Sequence, residues 1–404
     1  MNQSKIYNDL KNNTMTVLFS GKSFIRSFDT EYDFCVDKNF YYLTGLEDEN
    51  LKLVVLKKND QVTETIFIEK RDPKMVKWIG NGPSEDVIKE VSGINDIRDI
   101  KEFDQFIDEN INKYETLNLD LGSSRSAFPF LAGKVYKTEV EAKYPNVKIE
   151  NILEVFAKHR IIKSDFELTQ IKKAIDITRM GLEQMFLYIQ PEMMEYQIVT
   201  LFDSAIRFNG ASDNSFQTIA ASGKGATVLH YIKNDKKLED GDLILFDLGA
   251  EYNNYAADIS RTIPVNGKFS PRQKEIYELC LKANMDVINA VKPGTTLREL
   301  NDLTKEILDQ GLRDLGVIVG DETVDDYYYH GVGHHMGLDV HDVVLPNQTL
   351  SEGMVITVEP GIYIAKENIG IRIEDDILVT TDGHINLSES IIKSVDDIEK
   401  FMAK

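Results

Sequence analysis

Four of the chain's seven histidines fall within one short glycine-rich stretch, residues 330–342, which reads HGVGHHMGLDVHD. His330 and His334 have the spacing of a zinc-protease helix, but Gly331 stands where that motif requires glutamate, and the glycines interrupt a helical pattern. Glycine lets a backbone bend and approach a neighbouring group closely. The stretch therefore predicts a loop or strand end that directs imidazoles into a site. A polar surface turn is an equally good interpretation of this stretch alone.

Acidic residues recur in apolar, strand-like segments elsewhere in the chain. Asp247 lies in LILFDL, and Asp258 follows eleven residues later, after a turn. A hairpin of this length would bring both carboxylates to one face. Glu359 lies in VITVEPGIYI, and Glu374 lies in GIRIEDDILV, where it alternates with Arg372 and with apolar residues.

Each of these acids, taken singly, has an ordinary structural explanation. Asp247 could cap a turn, Asp258 could pair with Arg261, and Glu374 could pair with Arg372. Taken together, four acids in apolar strands are costly unless they are paired or bind a metal. Carboxylates with one or two imidazoles suit Mn²⁺, Co²⁺, Fe²⁺ or Zn²⁺, and two bridging carboxylates indicate a pair of ions that hold a hydroxide between them.

The composition of the whole chain narrows the class of protein. A length of 404 residues with 42% hydrophobic and 28% charged residues predicts two domains with substantial cores. The net charge of −21 opposes binding to nucleic acid or to anionic membranes. Cys35 and Cys280 are far apart, which predicts neither a disulfide nor a cysteine zinc site. No secretory leader and no run of about 18 apolar residues is visible, which favours a cytoplasmic protein.

The elements that position these residues fall into two groups. Residues 1–158 predict an α/β domain with a hairpin at 51–68, a strand at 117–121 and helices at 85–91, 97–107 and around 130–140. Residues 159–404 predict an α+β domain, since its helices and strands come in runs rather than in alternation. Its predicted elements are a capped helix opening at Ser164, helices at 195–208, 272–291 and 297–315, and strands at 216–221, 243–249, 258–263, 354–363 and 371–380.

Five segments of the second half, in order, resemble the metallo-aminopeptidases of the pita-bread fold, peptidase family M24, and among them the Xaa-Pro aminopeptidases (aminopeptidase P). They are TIAASG…LHY, LILFDLGAEYNNYAADISRTIPVNGKFS, HGVGHHMGLDVHD, GMVITVEPGIYI and GIRIEDDILVT. In the first half, RSFDTEYDFCVDKNFYYLTGLEDE is similar to the family's non-catalytic N-terminal domain. The resemblance implies an α+β protein in which 159–404 form a pita-bread catalytic domain. Residues 1–158 would form a smaller α/β domain that serves assembly, as a homodimer or homotetramer, and shapes the site entrance.

The resemblance also implies a role for each matching residue. Two divalent ions, Mn²⁺ before Co²⁺, Fe²⁺ or Zn²⁺, would be bound by Asp247, Asp258, His334, Glu359 and Glu374. Asp258 and Glu374 would bridge them, and Glu359 would also accept a proton. Side chains that handle substrate and protons would be His230, His330, His341, Arg372 and Tyr363. His335 matches no role and is predicted to be structural.

The implied activity is hydrolysis of the bond between an N-terminal residue and a proline in second position, by attack of the hydroxide between the ions. A prolidase that splits Xaa-Pro dipeptides would share the same ligands. A non-enzymatic pita-bread module that binds peptides is a third interpretation, against which the complete ligand set argues. Trp78, in a predicted loop, is similar to tryptophans that reach a neighbouring subunit's site, although a local packing anchor is an equally good interpretation.

Overall fold

The computed structural model describes residues 3–123 and 131–403, and the chain forms two compact units, Met1–His159 and Arg160–Lys404. Among the described residues, no helix is long and apolar enough to cross a bilayer.

The first unit is built on a six-stranded mixed sheet in the order β6-β5-β4-β1-β7-β8. Its core lies where Met15 and Val17 of the central strand meet Phe67 and Phe103. The strands are β1 (Thr14–Phe19), β2 (Ile25–Ser27), β3 (Thr30–Glu31), β4 (Lys52–Lys58), β5 (Gln61–Ile68), β6 (Asp96–Asp99), β7 (Thr116–Leu119) and β8 (Lys148–Asn151). The helices are α1 (Gln3–Asp9), α2 (Lys38–Thr44), α3 (Pro73–Ile79), α4 (Glu85–Ser92), α5 (Phe103–Asn110), α6 (Ala132–Lys143) and α7 (Leu153–Arg160).

The predicted hairpin is β4 and β5, whose two turn residues, Asn59 and Asp60, have φ of 52° and 60°, as a tight hairpin turn requires. The helix predicted over 97–107 is wrong in its first half. Ile97 instead pairs with Ile66 in a parallel ladder, because contacts within the sheet override local spacing. The predicted helix around 130–140 starts at a residue outside the described ranges, and its remainder is α6.

Trp78 lies in the last turn of α3 rather than in the predicted loop. Its side chain is 84% exposed, so the interpretation as a local packing anchor is wrong. The helix begins at Pro73 after the Asp72 cap, and proline is well suited to that first position.

The second unit packs helices against several short antiparallel sheets. The helices are α8 (Asp165–Tyr188), α9 (Glu195–Phe208), α10 (Pro271–Ala290), α11 (Leu297–Asp314) and α12 (Val395–Met402). The strands are β9 (Asp213–Asn214), β10 (Ile219–Ser222), β11 (Leu243–Leu248), β12 (Ala250–Tyr252), β13 (Tyr255–Ala256), β14 (Ile259–Pro264), β15 (Val355–Val358), β16 (Gly361–Ile364), β17 (Ile369–Arg372), β18 (Asp375–Val379) and β19 (His384–Asn386).

The capping box at Ser164 opens α8 as predicted, with the Ser164 amide donating to Glu167 at 2.9 Å. The strands predicted at 354–363 and 371–380 are each two strands that pair in different sheets, β15 with β18 and β16 with β17. The first break falls at Pro360, which has no N–H for a ladder, and the second falls at Glu374. Both breaks coincide with predicted metal ligands.

Candidate metal centre

A cavity of about 250 Å³ in the second unit gathers the predicted site residues. All five predicted metal ligands line it, together with His230, His330, His341 and Arg372, whereas Tyr363 lies behind the wall formed by His330 and Arg372. The complete lining is Leu229, His230, Asp247, Asp258, His330, Gly331, Gly333, His334, His341, Glu359, Arg372 and Glu374.

Strand register brings the acids together. In the antiparallel pair β11–β14, Asp247 lies opposite Ser260, and Asp258 precedes Ser260 by two residues and so shares its face. Glu374 reaches the same place through two hydrogen bonds with Ser260. Its amide donates to the Ser260 carbonyl at 3.1 Å, and the Ser260 hydroxyl donates to its carboxylate at 2.8 Å. The hairpin predicted for Asp247 and Asp258 is therefore present.

His334 is held against the strand β15 by its own backbone. The Thr357 amide donates to the His334 carbonyl at 2.9 Å, and the His334 amide donates to the Thr357 hydroxyl at 3.2 Å. A Cβ on Gly333 would overlap the Thr357 carbonyl oxygen, so this close approach requires glycine. The predicted loop conformation is thus a consequence of docking on a strand.

The imidazole of His334 is oriented so that one nitrogen faces the acids. Its Nδ1 lies 3.1 Å from the His335 carbonyl oxygen, a position in which it donates a proton. The Nε2 lone pair then faces Asp258 at 3.4 Å and Glu359 at 3.8 Å. A hydrogen bond that fixes the ring in this way is the usual arrangement for a metal-ligating histidine.

The donor set fits a divalent cation. Ligand atoms of Asp258, His334 and Glu374 all lie within 4.8 Å of one another. One oxygen each of Asp247, Asp258 and Asp376 is buried and has no hydrogen-bond partner in the described structure. Since a buried acceptor without a partner is destabilising, these oxygens are suited to coordinate an ion.

The protonation of the acids leads to the same conclusion. Burial, followed by repulsion from neighbouring acids, raises the pKa of Asp258 and of Glu374 well above the usual range. Burial also raises the pKa of Glu359 to about 7, although His334 and Arg372 oppose the shift. A cation would replace the protons that these groups otherwise retain.

Arg372 connects the acids to the histidines. Its guanidinium donates to Asp247 at 2.6 Å, to the Ser260 hydroxyl at 2.8 Å and to the Tyr363 hydroxyl at 3.1 Å. The Tyr363 hydroxyl lies 2.8 Å from Nε2 of His330. Arg372 therefore pairs with Asp247 and not with Glu374, so that alternative pairing is wrong.

Asp258 does not pair with Arg261 either. Arg261 is fully buried and donates to Asp375 at 2.8 Å, which removes the ordinary explanation for a buried Asp258.

The three cavity histidines other than His334 lie in different surroundings. Burial and Arg372 lower the pKa of His330 to about 4, and burial together with His334 and His230 lowers that of His341 to about 4. Both rings are therefore neutral near pH 7. His341 stacks on His334 with ring centroids 3.9 Å apart, whereas His230 is exposed at the cavity edge. His335 does not line the cavity and is buried, bridging to Ile356.

Two side chains at the site were not assigned from the sequence. Ser260 links Arg372 to Glu374, and Asp376 accepts the backbone N–H of Asp258 at 3.2 Å. Asp376 alternates with Glu374 and Arg372, and Ser260 follows Asp258 by two residues. The period of two along a strand was the signal for both.

Comparison with known proteins decides the family. Residues 169–381 match the model of metallopeptidase family M24, which is more than half of the chain, and residues 1–119 match the aminopeptidase P N-terminal domain. The chain belongs to metallopeptidase family M24. The predictions of the family, of a hydrolase and of an α+β fold with a pita-bread second domain are thereby confirmed. Membership implies divalent metal ions.

Relatives within family M24 match along almost the whole chain. A Xaa-Pro aminopeptidase of Haemophilus influenzae is 34% identical over 99% of this chain and 96% of its own length. One from Escherichia coli is 32% identical over 96% of this chain and 93% of its own. The structure of E. coli aminopeptidase P with the inhibitor Pro-Leu superposes with a TM-score of 0.89 at 30% identity, covering 99% of this chain and 96% of that one.

Proposed function

We propose that this chain is a dinuclear-metal aminopeptidase that releases the first residue of peptides whose second residue is proline. The observation that carries the proposal is the convergence of four carboxylates and the His334 imidazole in one cavity, where carboxylate oxygens are buried without a hydrogen-bond partner among the described residues. Relatives that are 32–34% identical and match nearly the whole chain are Xaa-Pro aminopeptidases.

Two divalent cations would be bound by the five ligand side chains, with Asp258 and Glu374 as the bridging groups. When bound, such a pair polarises a carbonyl and lowers the pKa of water. Oxygen-rich ligand sets with a single imidazole favour Mn²⁺, with Co²⁺, Fe²⁺ and Zn²⁺ as alternatives. The complete ligand set is Asp247, Asp258, His334, Glu359 and Glu374.

The chain's own residues divide the remaining work. Glu359, which lines the cavity 3.8 Å from Nε2 of His334, would accept the proton. Neutral His341 can donate a hydrogen bond to the carbonyl oxygen of the scissile bond as it gains charge. His330 directs Nδ1 at the Gly331 carbonyl and Nε2 at the Tyr363 hydroxyl, so it would act by holding Tyr363 and by assisting proton transfer. Arg372 orients Tyr363 and Asp247, and His230 at the cavity edge lines the place that receives the proline.

A second cavity supports peptides longer than a dipeptide. It has a volume of about 590 Å³ and includes the Tyr327, Tyr329 and Tyr363 rings in its wall. Tyr363 is also hydrogen-bonded to Arg372 and His330 of the metal cavity, so the two cavities adjoin. Residues downstream of the proline would have room there, whereas a dipeptide would not use it. This favours the aminopeptidase over a prolidase.

The deciding experiment compares three peptides after metal removal and reconstitution with Mn²⁺. We expect release of the first residue from Xaa-Pro-Xaa, none from a matched Xaa-Ala-Xaa, and none in the Asp258→Asn variant. Activity confined to Xaa-Pro dipeptides would establish the prolidase instead. A loaded protein that is inert on every proline peptide would support the non-enzymatic module.

The proposal includes a cytoplasmic homodimer or homotetramer that binds neither nucleic acid nor membranes. The 84% exposed side chain of Trp78 is available to reach a neighbouring subunit's site. Light scattering would measure the number of subunits in the oligomer. In a separate test, we expect Trp78→Ala to raise KM for peptides while leaving metal binding intact. A monomer, or an unchanged KM, would end this part of the proposal.

A further inference from the structure

Two stacked histidines of the metal cavity, His334 and His341, are anchored in different ways. His334 is bound to β15 by backbone hydrogen bonds on both sides, including those with Thr357. His341 lies beyond that region, and within the described ranges its backbone makes no hydrogen bond. Its position therefore depends on its neighbours in the chain, of which Asp342 is buried.

Asp342 is held by two buried cations from the residues that precede α8. Arg160 donates to one of its oxygens at 2.6 Å, and Lys163 donates to the other at 3.1 Å. All three side chains are at most 3% exposed. The Asp342 amide also donates to the His335 carbonyl at 2.8 Å, which ties the end of the loop to its middle.

Close packing around this group leaves little freedom. A Cβ on Gly337 would overlap the Asp342 carboxylate, so the loop passes directly over it. Burial alone would raise the pKa of Asp342, but Arg160 and Lys163 lower it below its usual value. The acid is thus a charged, buried anchor one residue from His341.

We propose that Asp342 is a positioning residue for His341. Its ion pairs with Arg160 and Lys163 fix the end of the loop and so hold the His341 ring stacked on His334, 3.9 Å away at an interplanar angle of 27°. This inference rests on the proposed function, in which His341 contacts the substrate. The His335 carbonyl that orients the His334 ring is bound by the Asp342 amide, which the ion pairs do not involve, and the His334 backbone is anchored to β15. Loss of the Asp342 side-chain ion pairs should therefore lower substrate turnover and leave metal affinity unchanged.

The test is a double-mutant cycle between Asp342→Asn and His341→Ala on an Xaa-Pro-Xaa peptide. We expect Asp342→Asn to lower kcat/KM about tenfold in the wild-type background and by less than about twofold in the His341→Ala background. Calorimetry should give an unchanged Mn²⁺ dissociation constant. A crystal structure of Asp342→Asn should show the His341 ring displaced from His334.

The matched control is Asp339→Asn. Asp339 also accepts from Arg160 at 2.6 Å, but its side chain is 45% exposed and it is not adjacent to His341. We expect kcat/KM to be unchanged in this variant. If the Asp342→Asn variant does not fold, the double variant Asp342→Asn/Lys163→Met takes its place in the test. It removes one buried acid and one buried cation together, and Arg160 keeps its ion pair with Asp339.

Equal losses of kcat/KM in both backgrounds would overturn the inference, because the effect of Asp342 would then not pass through His341. A parallel loss of Mn²⁺ affinity would also overturn it, since that indicates general disruption of the loop. Failure of the proposed function gives a different result, namely a wild-type protein that cleaves no proline peptide while His341 still moves in the variant crystal.

Discussion

Two adjacent acids in the second unit, Glu374 and Asp375, are buried alike and behave in opposite ways. They are 2% and 0% exposed. Burial and neighbouring acids raise the pKa of Glu374 well above its usual value. Burial would do the same to Asp375, but Arg261 and Lys393, at 2.8 and 2.6 Å, lower its pKa to about 2. Burial alone therefore does not distinguish Glu374 from Asp375; the two basic partners of Asp375 do.

This contrast distinguishes acids that stabilise the fold through ion pairs from acids that are suited to bind a metal ion. Asp375 and Asp342 each have two basic partners supplied by the chain. Asp258 and Glu374 face other acids, and one buried oxygen of Asp258 has no hydrogen-bond partner in the part of the chain that the structure describes. In the proposed metal centre, only the second group would gain stability from an added metal ion.

The largest expected effect is on the stability of metal-free protein. Asp375→Asn leaves Arg261 buried without a carboxylate and should destabilise the protein by about 3–5 kcal/mol. Burial and neighbouring acids raise the pKa of Glu374, so it is protonated in metal-free protein, and Glu374→Gln should leave metal-free stability equal or higher. The free energy of unfolding of the two variants, measured on chelated samples, tests this prediction. The contrast breaks if Asp375→Asn is no more destabilising than Glu374→Gln.

The order of the two variants should be reversed for activity, with Glu374→Gln losing more than Asp375→Asn. Glu374→Gln removes a proposed bridging ligand, and since loss of an outer partner already costs up to about 100-fold, we expect at least that loss in kcat. Asp375→Asn, assayed below its unfolding temperature with Mn²⁺, should lose far less. Equal losses would show that Asp375 does more than hold the fold.

The next effect is the pH dependence of stability. Burial raises the pKa of Glu359 to about 7, so the stability that this group contributes is full below about 4.5 and is lost as pH rises through 7. The pKa of Asp375 is lowered to about 2, so its contribution is full above about 4 and is lost as pH falls through 2.

The Tm of metal-free protein should therefore fall between pH 5 and 7. The Tm of Mn²⁺-loaded protein should not fall, because the ion displaces the protons. Tm values of chelated and loaded samples across this range are the measurement. A chelated protein whose Tm is flat or rises from pH 5 to 7 would contradict the assignment of raised pKa values to the site acids.

How far the sequence predicts the site depends on the range of the contacts. Order and spacing were enough to predict the Asp247–Asp258 hairpin, because its ladder is local. The ion pairs considered as alternatives are not formed, since Arg372 lies near Glu374 in sequence but contacts Asp247, 125 residues away. The residue pattern of one strand does not reveal ion-pair partners that lie on another strand of the sheet.

The strand breaks show the same limit. VITVEPGIYI and GIRIEDDILV predict continuous strands, yet each is divided between two sheets at Glu359-Pro360 and at Ile373-Glu374. The proline was a readable signal for the first break. The second depends on the bonds between Glu374 and Ser260, which only the folded chain brings together.

The smallest expected effect concerns Cys280, a third kind of buried acid. Its thiol is fully buried and donates to the Pro360 carbonyl at 3.2 Å, beside Glu359, and burial raises its pKa to about 12. Cys280 therefore has a raised pKa like the site acids, but its thiol is already hydrogen-bonded to the Pro360 carbonyl and does not line the cavity. We expect Cys280→Ala to cost about 1 kcal/mol of stability and to change Mn²⁺ affinity and kcat by less than about twofold.

Exposed Cys35 is the internal control for this prediction, because a thiol reagent should label it and leave Cys280 unreacted in the native protein. Loss of Mn²⁺ affinity in Cys280→Ala would mean that a raised pKa alone marks a residue of the metal centre. An unchanged affinity leaves the stricter criterion in place, in which several carboxylate oxygens without partners must converge on one point.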